Sequence, residues 1–287
     1  MPKIYDCFTY NNEELVLLLR LETLSEIVDK FVIAESPYTQ TGKHKPLYFN
    51  PSRFKKFEDR IIHLVVEDMP VELGDAWANE NHQRNALQRG LTQATPSDWI
   101  IISDVDEIPN PDAIRRYQPS NLYGTFVQKM YCYFCNNLAV QTRRPTDPRW
   151  WIRSKITTMA HLTNFFGTPQ NLRIYKREPG FSGILKYLHR KISHQRLHDG
   201  GWHFSWLMSP EEMIKKIESC ADTEFDQPRF KSVDAIRSAI RENLDILGKG
   251  ERFRLTAIDE SFPPYLRKNL DLFPNWYLEP TVGTLQQ

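Results

Sequence analysis

Trp99-Ile100-Ile101-Ile102-Ser103-Asp104-Val105-Asp106-Glu107-Ile108-Pro109 is the stretch whose reading decides the fold. Three consecutive isoleucines predict a strand buried on both faces, as in a parallel sheet covered by helices. Three carboxylates within the next four residues end it. Carboxylates that close repel one another and raise each other's pKa unless a cation offsets them. A divalent ion such as Mn²⁺ or Mg²⁺ takes oxygen ligands and leaves room for phosphate. The carboxyl end of a parallel strand is also where open α/β sheets bind ligands. Asp104 and Asp106 are therefore candidate metal ligands. The alternative is a solvated helix start at Pro109, where acidic residues favour the helix dipole.

Working outward, the preceding residues alternate between strand and helix patterns. Residues 3–9, 31–34 and 60–66 predict strands. Residues 13–28 carry Leu17, Leu21, Leu24 and Val28 at helical spacing, and residues 75–93 predict a long helix. Residues 109–117 predict a further helix with Asn110 as its cap. Such alternation implies an α/β fold with a Rossmann-type, mostly parallel sheet. The second half changes character. Residues 122–134, 151–159 and 172–176 predict strands without helices between them. Ser209-Pro210-Glu211-Glu212 opens a helix with a capping box, and residues 231–247 predict another. The expected organisation is one domain over 1–260, with a nucleotide-binding half (1–118) and a mixed-strand acceptor half (119–260). A Pro- and aromatic-rich tail (261–287) is expected to lie along the surface.

Bulk composition narrows the function. Lys+Arg (37) balances Asp+Glu (36) across 287 residues, so no global field attracts nucleic acid or an anionic membrane. Any anionic ligand must be held locally. The four cysteines include Cys132 and Cys135, but no second pair completes a four-cysteine zinc site, and both read as core residues. No apolar run is long enough to span a membrane, and residues 1–6 lack a signal-peptide layout. Cytoplasmic residence is the expectation.

Other residues stand out by type and place. Glu35 and Ser36 end the second predicted strand, where an acidic residue commonly contacts a ribose; an ordinary turn before Pro37 is the alternative. Glu80 and Arg84 interrupt the otherwise apolar stripe Trp77, Leu87 and Leu91. They either pair with each other at i, i+4 or turn the guanidinium toward a diphosphate. His203 lies in Gly201-Trp202-His203-Phe204-Ser205, entered through two glycines that allow close backbone approach. It is a candidate third metal ligand or a packed core histidine. Trp150, Trp151 and Trp202 are candidates to stack on sugar rings or to fill the core.

The acidic segment resembles the DxD region of glycosyltransferase family 17, the family of the β-1,4-mannosyl-glycoprotein 4-β-N-acetylglucosaminyltransferases. Further stretches are similar to that family in order: Tyr5-Asp6-Cys7-Phe8 with Asn11, Glu14 and Leu19-Arg20-Leu21; Val28 to Ser36; Thr41-Gly42-Lys43 with Lys45-Pro46-Leu47-Tyr48; Glu80, Gln83 and Arg84; and Gly201 to Ser205. The resemblance implies a GT-A-like fold, a UDP-sugar donor (UDP-GlcNAc in characterised members), Mn²⁺ or Mg²⁺, and inversion at the anomeric carbon. Carried over by position, it implies Asp104 at the nucleotide ribose or the metal's water and Asp106 on the metal, with His203 a further ligand by analogy with the wider fold. Glu35, Ser36, Glu80, Arg84 and Trp202 are the other candidates to contact the nucleotide sugar.

The expected reaction is a single displacement onto a hydroxyl of a glycan or glycoconjugate acceptor. The metal and Arg84 neutralise the departing diphosphate, and a carboxylate takes the acceptor's proton. Glu107, Glu178 and Asp199 are the candidate bases. Two rival readings are a haloacid-dehalogenase-type phosphohydrolase, which also places DxD after a buried strand, and a non-catalytic carbohydrate-binding protein, suggested by 7 Trp and 12 Tyr.

Overall fold

The computed structural model describes residues 1–141, 150–174 and 180–280. In chain order the strands are β1 (Ile4–Thr9), β2 (Lys30–Glu35), β3 (Ile61–Val65), β4 (Trp99–Asp104), β5 (Glu107–Pro109), β6 (Tyr123–Phe126), β7 (Gln128–Cys132), β8 (Asn137–Gln141), β9 (Trp150–Trp151), β10 (Lys155–Thr158), β11 (His194–Leu197), β12 (Gly201–Ser205) and β13 (Arg252–Leu255). The principal helices are α1 (Glu14–Leu24), α2 (Ala76–Ala86), α3 (Pro111–Arg115), α4 (Pro169–Arg173), α5 (Gly180–Ile192), α6 (Pro210–Ser219), α7 (Val233–Arg241) and α8 (Pro264–Lys268).

Seven strands form one sheet in the order β11-β6-β10-β4-β1-β2-β3. β1 runs parallel to both β2 and β4, and β2 parallel to β3, while β10 is antiparallel to its neighbours. The expected α/β, mostly parallel architecture is borne out. Ile100, Ile101 and Ile102 are fully buried and alternate between two clusters: Ile101 meets Leu17, Leu21 and Phe31, and Ile100 and Ile102 meet Leu87, Leu91 and Leu172. A strand covered on both faces has no polar side, and an unbroken apolar run results.

A second sheet, β13-β8-β7-β12-β5 with β9 beside β7, stands against the first. Among the described residues the chain crosses between the sheets five times, and two of these crossings take only one or two residues. One is the acidic turn, which joins β4 of the first sheet to β5 of the second. The other is Val127, which separates β6 from β7. The predicted single strand over 122–134 is thus two strands in different sheets. Likewise, Pro109 does not begin a helix: Glu107–Pro109 pairs with β12, and the helix begins at Pro111 behind the Asn110 cap.

The glycines before β12 serve this crossing. Gly201 has a positive φ, and a Cβ there would lie 2.1 Å from the Ile108 carbonyl oxygen. The close approach inferred from sequence is real, but its partner is the β5 backbone and not a ligand. Other differences have local causes. Within 172–176, Leu172 and Arg173 are helical, because Thr168 accepts from the Asn171 amide and Pro169 begins α4; residues 175–176 lie outside the described set. α5 occupies a segment to which sequence reading assigns no element. The Ser209–Glu212 capping box is present as expected. Residues after 260 are tied in more deeply than a surface tail: Phe262, Leu266 and Phe273 pack against Trp202 and Phe204, and the Asn136 amide donates to the Thr256 and Leu278 carbonyls.

One buried cation organises the junction. Arg20 of α1 is fully buried and meets Asp6 of β1 through two hydrogen bonds of 2.7 and 2.6 Å. Its Nη1 donates to the carbonyls of Asp104, Val105 and Glu107 at 2.9, 3.1 and 2.9 Å, and its Nη2 to Ser103 Oγ. The guanidinium also lies 4.4 Å from the Phe8 ring centre. Only a planar fork with several donors can hold three turn carbonyls and a carboxylate together.

Removing one partner of a buried pair strands the other's charge at a cost of about 3–5 kcal/mol. Arg20→Met should therefore lower the unfolding free energy by that order in urea melts. Arg20→Lys should recover little of it. A loss under about 1 kcal/mol would contradict the pinning role.

Candidate functional site

The acidic turn opens onto a cavity of about 320 Å³ at the carboxyl ends of β1, β2 and β4. Its wall takes Thr9, Tyr10, Asn11 and Glu13 from the loop after β1, and Tyr38, Thr39, Gln40 and Lys45 from the loop after β2. Glu80, Gln83 and Arg84 come from α2, and Asp104 to Asp106 from the turn. The second sheet adds Met130, Trp151, His203 and Ser205, and α6 and its surroundings add Trp206, Lys216 and Asp222, with Asp245, Lys249 and Glu251 beyond. This is the crevice that a parallel sheet offers to ligands.

The three turn carboxylates divide into two kinds. Asp104 and Glu107 are held by arginines. Arg173 donates to Asp104 Oδ2 at 2.5 Å and to both Glu107 oxygens at 2.6 and 2.7 Å. Arg84 donates to Asp104 Oδ1 at 3.0 Å, to Glu80 at 2.5 Å and to Gln170 at 2.7 Å. Glu107 also accepts from Trp151 Nε1 and from the Asp104 amide. Asp106 is different. Its nearest basic neighbours are His203 Nε2 at 3.6 Å and Lys216 Nζ at 3.9 Å, beyond hydrogen-bonding range.

Electrostatics follow this arrangement. Burial raises the Asp104 pKa, but Arg173 and Arg84 outweigh it and hold the carboxyl well below the usual range. For Asp106, burial is likewise overcome by His203 and Lys216, and the pKa falls. Burial pulls the Lys216 ammonium down, yet Glu13 and Asp106 keep it well above the ordinary lysine value. Both aspartates and Lys216 are thus charged at neutral pH.

Among the described residues, no group of three or more His, Cys, Asp or Glu side chains gathers closely enough to hold a metal ion unaided. Asp104 in particular has both oxygens engaged. Asp106 and His203 fit a cation better. Both line the cavity, neither makes a tight hydrogen bond to the other, and His203 Nδ1 is buried without a partner. Two protein ligands suit Mg²⁺ or Mn²⁺, which take remaining oxygens from water and phosphate. The His203 ring stacks on Trp151 at 4.2 Å between centroids, which fixes its plane.

Several sequence candidates sit elsewhere. Glu35 is fully buried and accepts from the Tyr48 and Phe49 amides, with His63 and Lys45 beside it. It organises the 45–49 loop and lines no part of the cavity. Ser36 caps the adjacent turn by accepting from the Tyr38 amide. Trp202 points into the core and donates to the Ser261 carbonyl, and Trp150 borders a shallow hollow on the other side of the second sheet. Of the three tryptophans, Trp151 forms the cavity wall. Glu107 is clamped by Arg173 and Trp151, which removes it as a base, and Asp199 is an exposed turn residue with φ +47° outside the cavity. Glu178 lies outside the described residues. Arg84 does line the cavity, but its Nη groups are spent on Glu80, Asp104 and Gln170; only Nε is buried without a partner.

Sequence reading gave no role to Arg20, which it met only within Leu19-Arg20-Leu21, and missed Arg173 and Lys216. Arg173 carried one usable signal, the Thr168-Pro169 helix start that places it on α4. Lys216 lies four residues after Glu212 within a helix that was anticipated, but its approach to the cavity is set by tertiary packing.

Residues 1–138 match the model of glycosyltransferase family 17. The β-1,4-mannosyl-glycoprotein 4-β-N-acetylglucosaminyltransferases of Mus musculus, Rattus norvegicus and Homo sapiens are each 24% identical over 311 residues, covering 97% of this chain and 56% of theirs. The chain thus spans little more than half the length of the curated relatives it matches. The resemblance to family 17 read from the sequence is borne out. A solved 2-C-methyl-D-erythritol 4-phosphate cytidylyltransferase from Francisella tularensis shares 11% identity over 68% of this chain and 90% of its own, with a TM-score of 0.36, too loose a likeness to argue from.

A carboxylate held below its ordinary pKa stabilises the fold fully above that value, about 3.9 for Asp, and loses the contribution as pH falls through the folded-state pKa. The stability gap between the wild type and Asp104→Asn should therefore be constant from neutral pH to about pH 4 and shrink below it. Urea melts across that range measure it. A gap that widens on acidification would contradict the arginine clamp.

Proposed function

We propose that this relative of glycosyltransferase family 17 transfers a sugar from a UDP-sugar, N-acetylglucosamine by the activity its relatives are named for, to a hydroxyl of a glycan or glycoconjugate acceptor. The observation that carries the reading is that the family match covers the Asp104–Asp106 turn, and that this turn is the floor of the cavity. In support, the cavity collects cationic Lys45, Lys216 and Lys249 on its wall, groups suited to an anionic donor.

Asp106 and His203 would hold Mn²⁺ or Mg²⁺, which neutralises charge on the departing diphosphate when bound. The chain's own residues do the rest. Arg173 and Arg84 hold Asp104 so that the turn keeps its shape as charge develops nearby, the preorganisation on which electrostatic catalysis depends. Lys216, kept protonated by Glu13 and Asp106, adds a fixed positive charge beside the leaving group. Trp151 and His203 offer a stacked aromatic wall for the sugar. For the proton acceptor we favour Asp222: it lines the cavity, and burial raises its carboxyl pKa toward the range useful to a base. Attack from the face opposite the diphosphate inverts the anomeric carbon.

A phosphohydrolase that used Asp104 as nucleophile fits poorly, because both oxygens of Asp104 are bound by arginines. A purely carbohydrate-binding role leaves unexplained why Asp106 and Lys216 are held charged at the cavity floor.

Transfer from UDP-GlcNAc, followed by UDP release with an acceptor panel and Mn²⁺, tests the reading. Asp106→Asn should lower kcat by about 10²–10³-fold while the unfolding midpoint stays near that of the wild type. Excess chelator should abolish transfer. Undiminished transfer under chelation, or by Asp106→Asn, would overturn the metal role.

A further inference from the structure

Helix α5 (Gly180–Ile192) is inside out. Phe181, Ile184, Leu185, Leu188 and Ile192 are all exposed, by 75, 41, 51, 47 and 81%. Their spacing of i, i+3, i+4, i+7 and i+11 places them on one stripe about 100° wide. The opposite face, with Gly183, Lys186, Tyr187 and Arg190, is the one turned to the protein: Gly183 is the buried residue of the helix, and Arg190 reaches over the Tyr123 ring at 4.9 Å. Contiguous apolar surface left bare on a helix marks a face that another surface covers.

We propose that α5 docks the protein on an anionic lipid surface, lying in the interface with its apolar stripe among the acyl chains. Charge selects this occupant. From Gly180 to His198 the sequence contains no Asp or Glu but has Lys186, Arg190, Lys191 and Arg196, with three histidines. His189 and Lys191 are exposed and lie on opposite flanks of the apolar stripe, roughly 80° to either side. An apolar stripe with basic side chains beside it is the pattern of interfacial helices, whose binding sums apolar burial and attraction to anionic headgroups. A two-fold pairing of the same face with a second copy would set this basic segment against its own copy. This docking is not a span: no described helix is long and apolar enough to cross a membrane.

The inference stands apart from the transfer reaction, and its test needs no activity. Full-length protein is floated with vesicles of phosphatidylglycerol and phosphatidylcholine in equal parts, and with phosphatidylcholine alone. Binding should favour the anionic vesicles by about tenfold or more and weaken as salt is raised. The double variant L185E/L188E should lose at least about tenfold in partitioning, and K191E a smaller share, with unfolding midpoints unchanged because all three positions are exposed. Absence of binding to anionic vesicles overturns the proposal, as does equal binding by L185E/L188E. A concentration-dependent dimer that L185E/L188E dissociates would also overturn it, by assigning the stripe to a second copy.

Discussion

Arg20 reaches from α1 under the end of β4 and takes hold of the backbone of the acidic turn, donating to three carbonyls while its charge is returned to Asp6 of β1. The turn is also one of the places where the chain leaves one sheet for the other, so this guanidinium braces a crossing between the two sheets. Carbonyls at a strand exit have no ladder partner and must be satisfied somehow when buried. Satisfying them with a cation places positive charge directly behind three carboxylates, which lets them coexist in a small volume.

With its backbone held from behind, the turn presents its side chains in a definite division. Asp104 and Glu107 face Arg84 and Arg173 and become part of the frame. Asp106, one residue on from Val105, faces the opposite way, toward His203, Lys216 and the cavity. A motif that looks like a cluster of equivalent ligands is thus one outward carboxylate with two inward supports. Arg173 ties the frame to Trp151 through their shared contact with Glu107, and Trp151 in turn sets the plane of His203. A single network runs from the first sheet to the cavity wall.

How much of this was legible depended on range. The buried strand β4, the alternating first half, the Asn110 cap and the Ser209 capping box are local signals and read directly. Asp106 and His203, singled out as candidate metal ligands because a charged group ending an apolar strand and a histidine in an aromatic strand are both locally odd, do line the cavity. Glu35 was equally odd, but its oddity serves the neighbouring 45–49 loop, and nothing in the sequence says which. Trp202 and Trp151 are indistinguishable by type; only the alternation of β12 against its sheet sends one to the core and the other stands beside His203. The second half was misread where strands switch sheets at Val127. α5 was overlooked although Phe181, Ile184, Leu185, Leu188 and Ile192 recur at helical spacing; what the sequence could not show is that this face is bare.

The central claim is that the turn uses Asp106, with His203, to meet the donor's cation while Asp104 stays with its arginines. A crystal structure of the protein soaked with UDP and Mn²⁺, with manganese located by anomalous scattering, tests it most directly. The account predicts manganese on the Asp106 carboxylate with His203 beside it, the diphosphate completing its ligands, and the Arg84 and Arg173 contacts to Asp104 intact. Manganese bound by Asp104 with those arginines displaced, or nucleotide bound away from the turn, would contradict it.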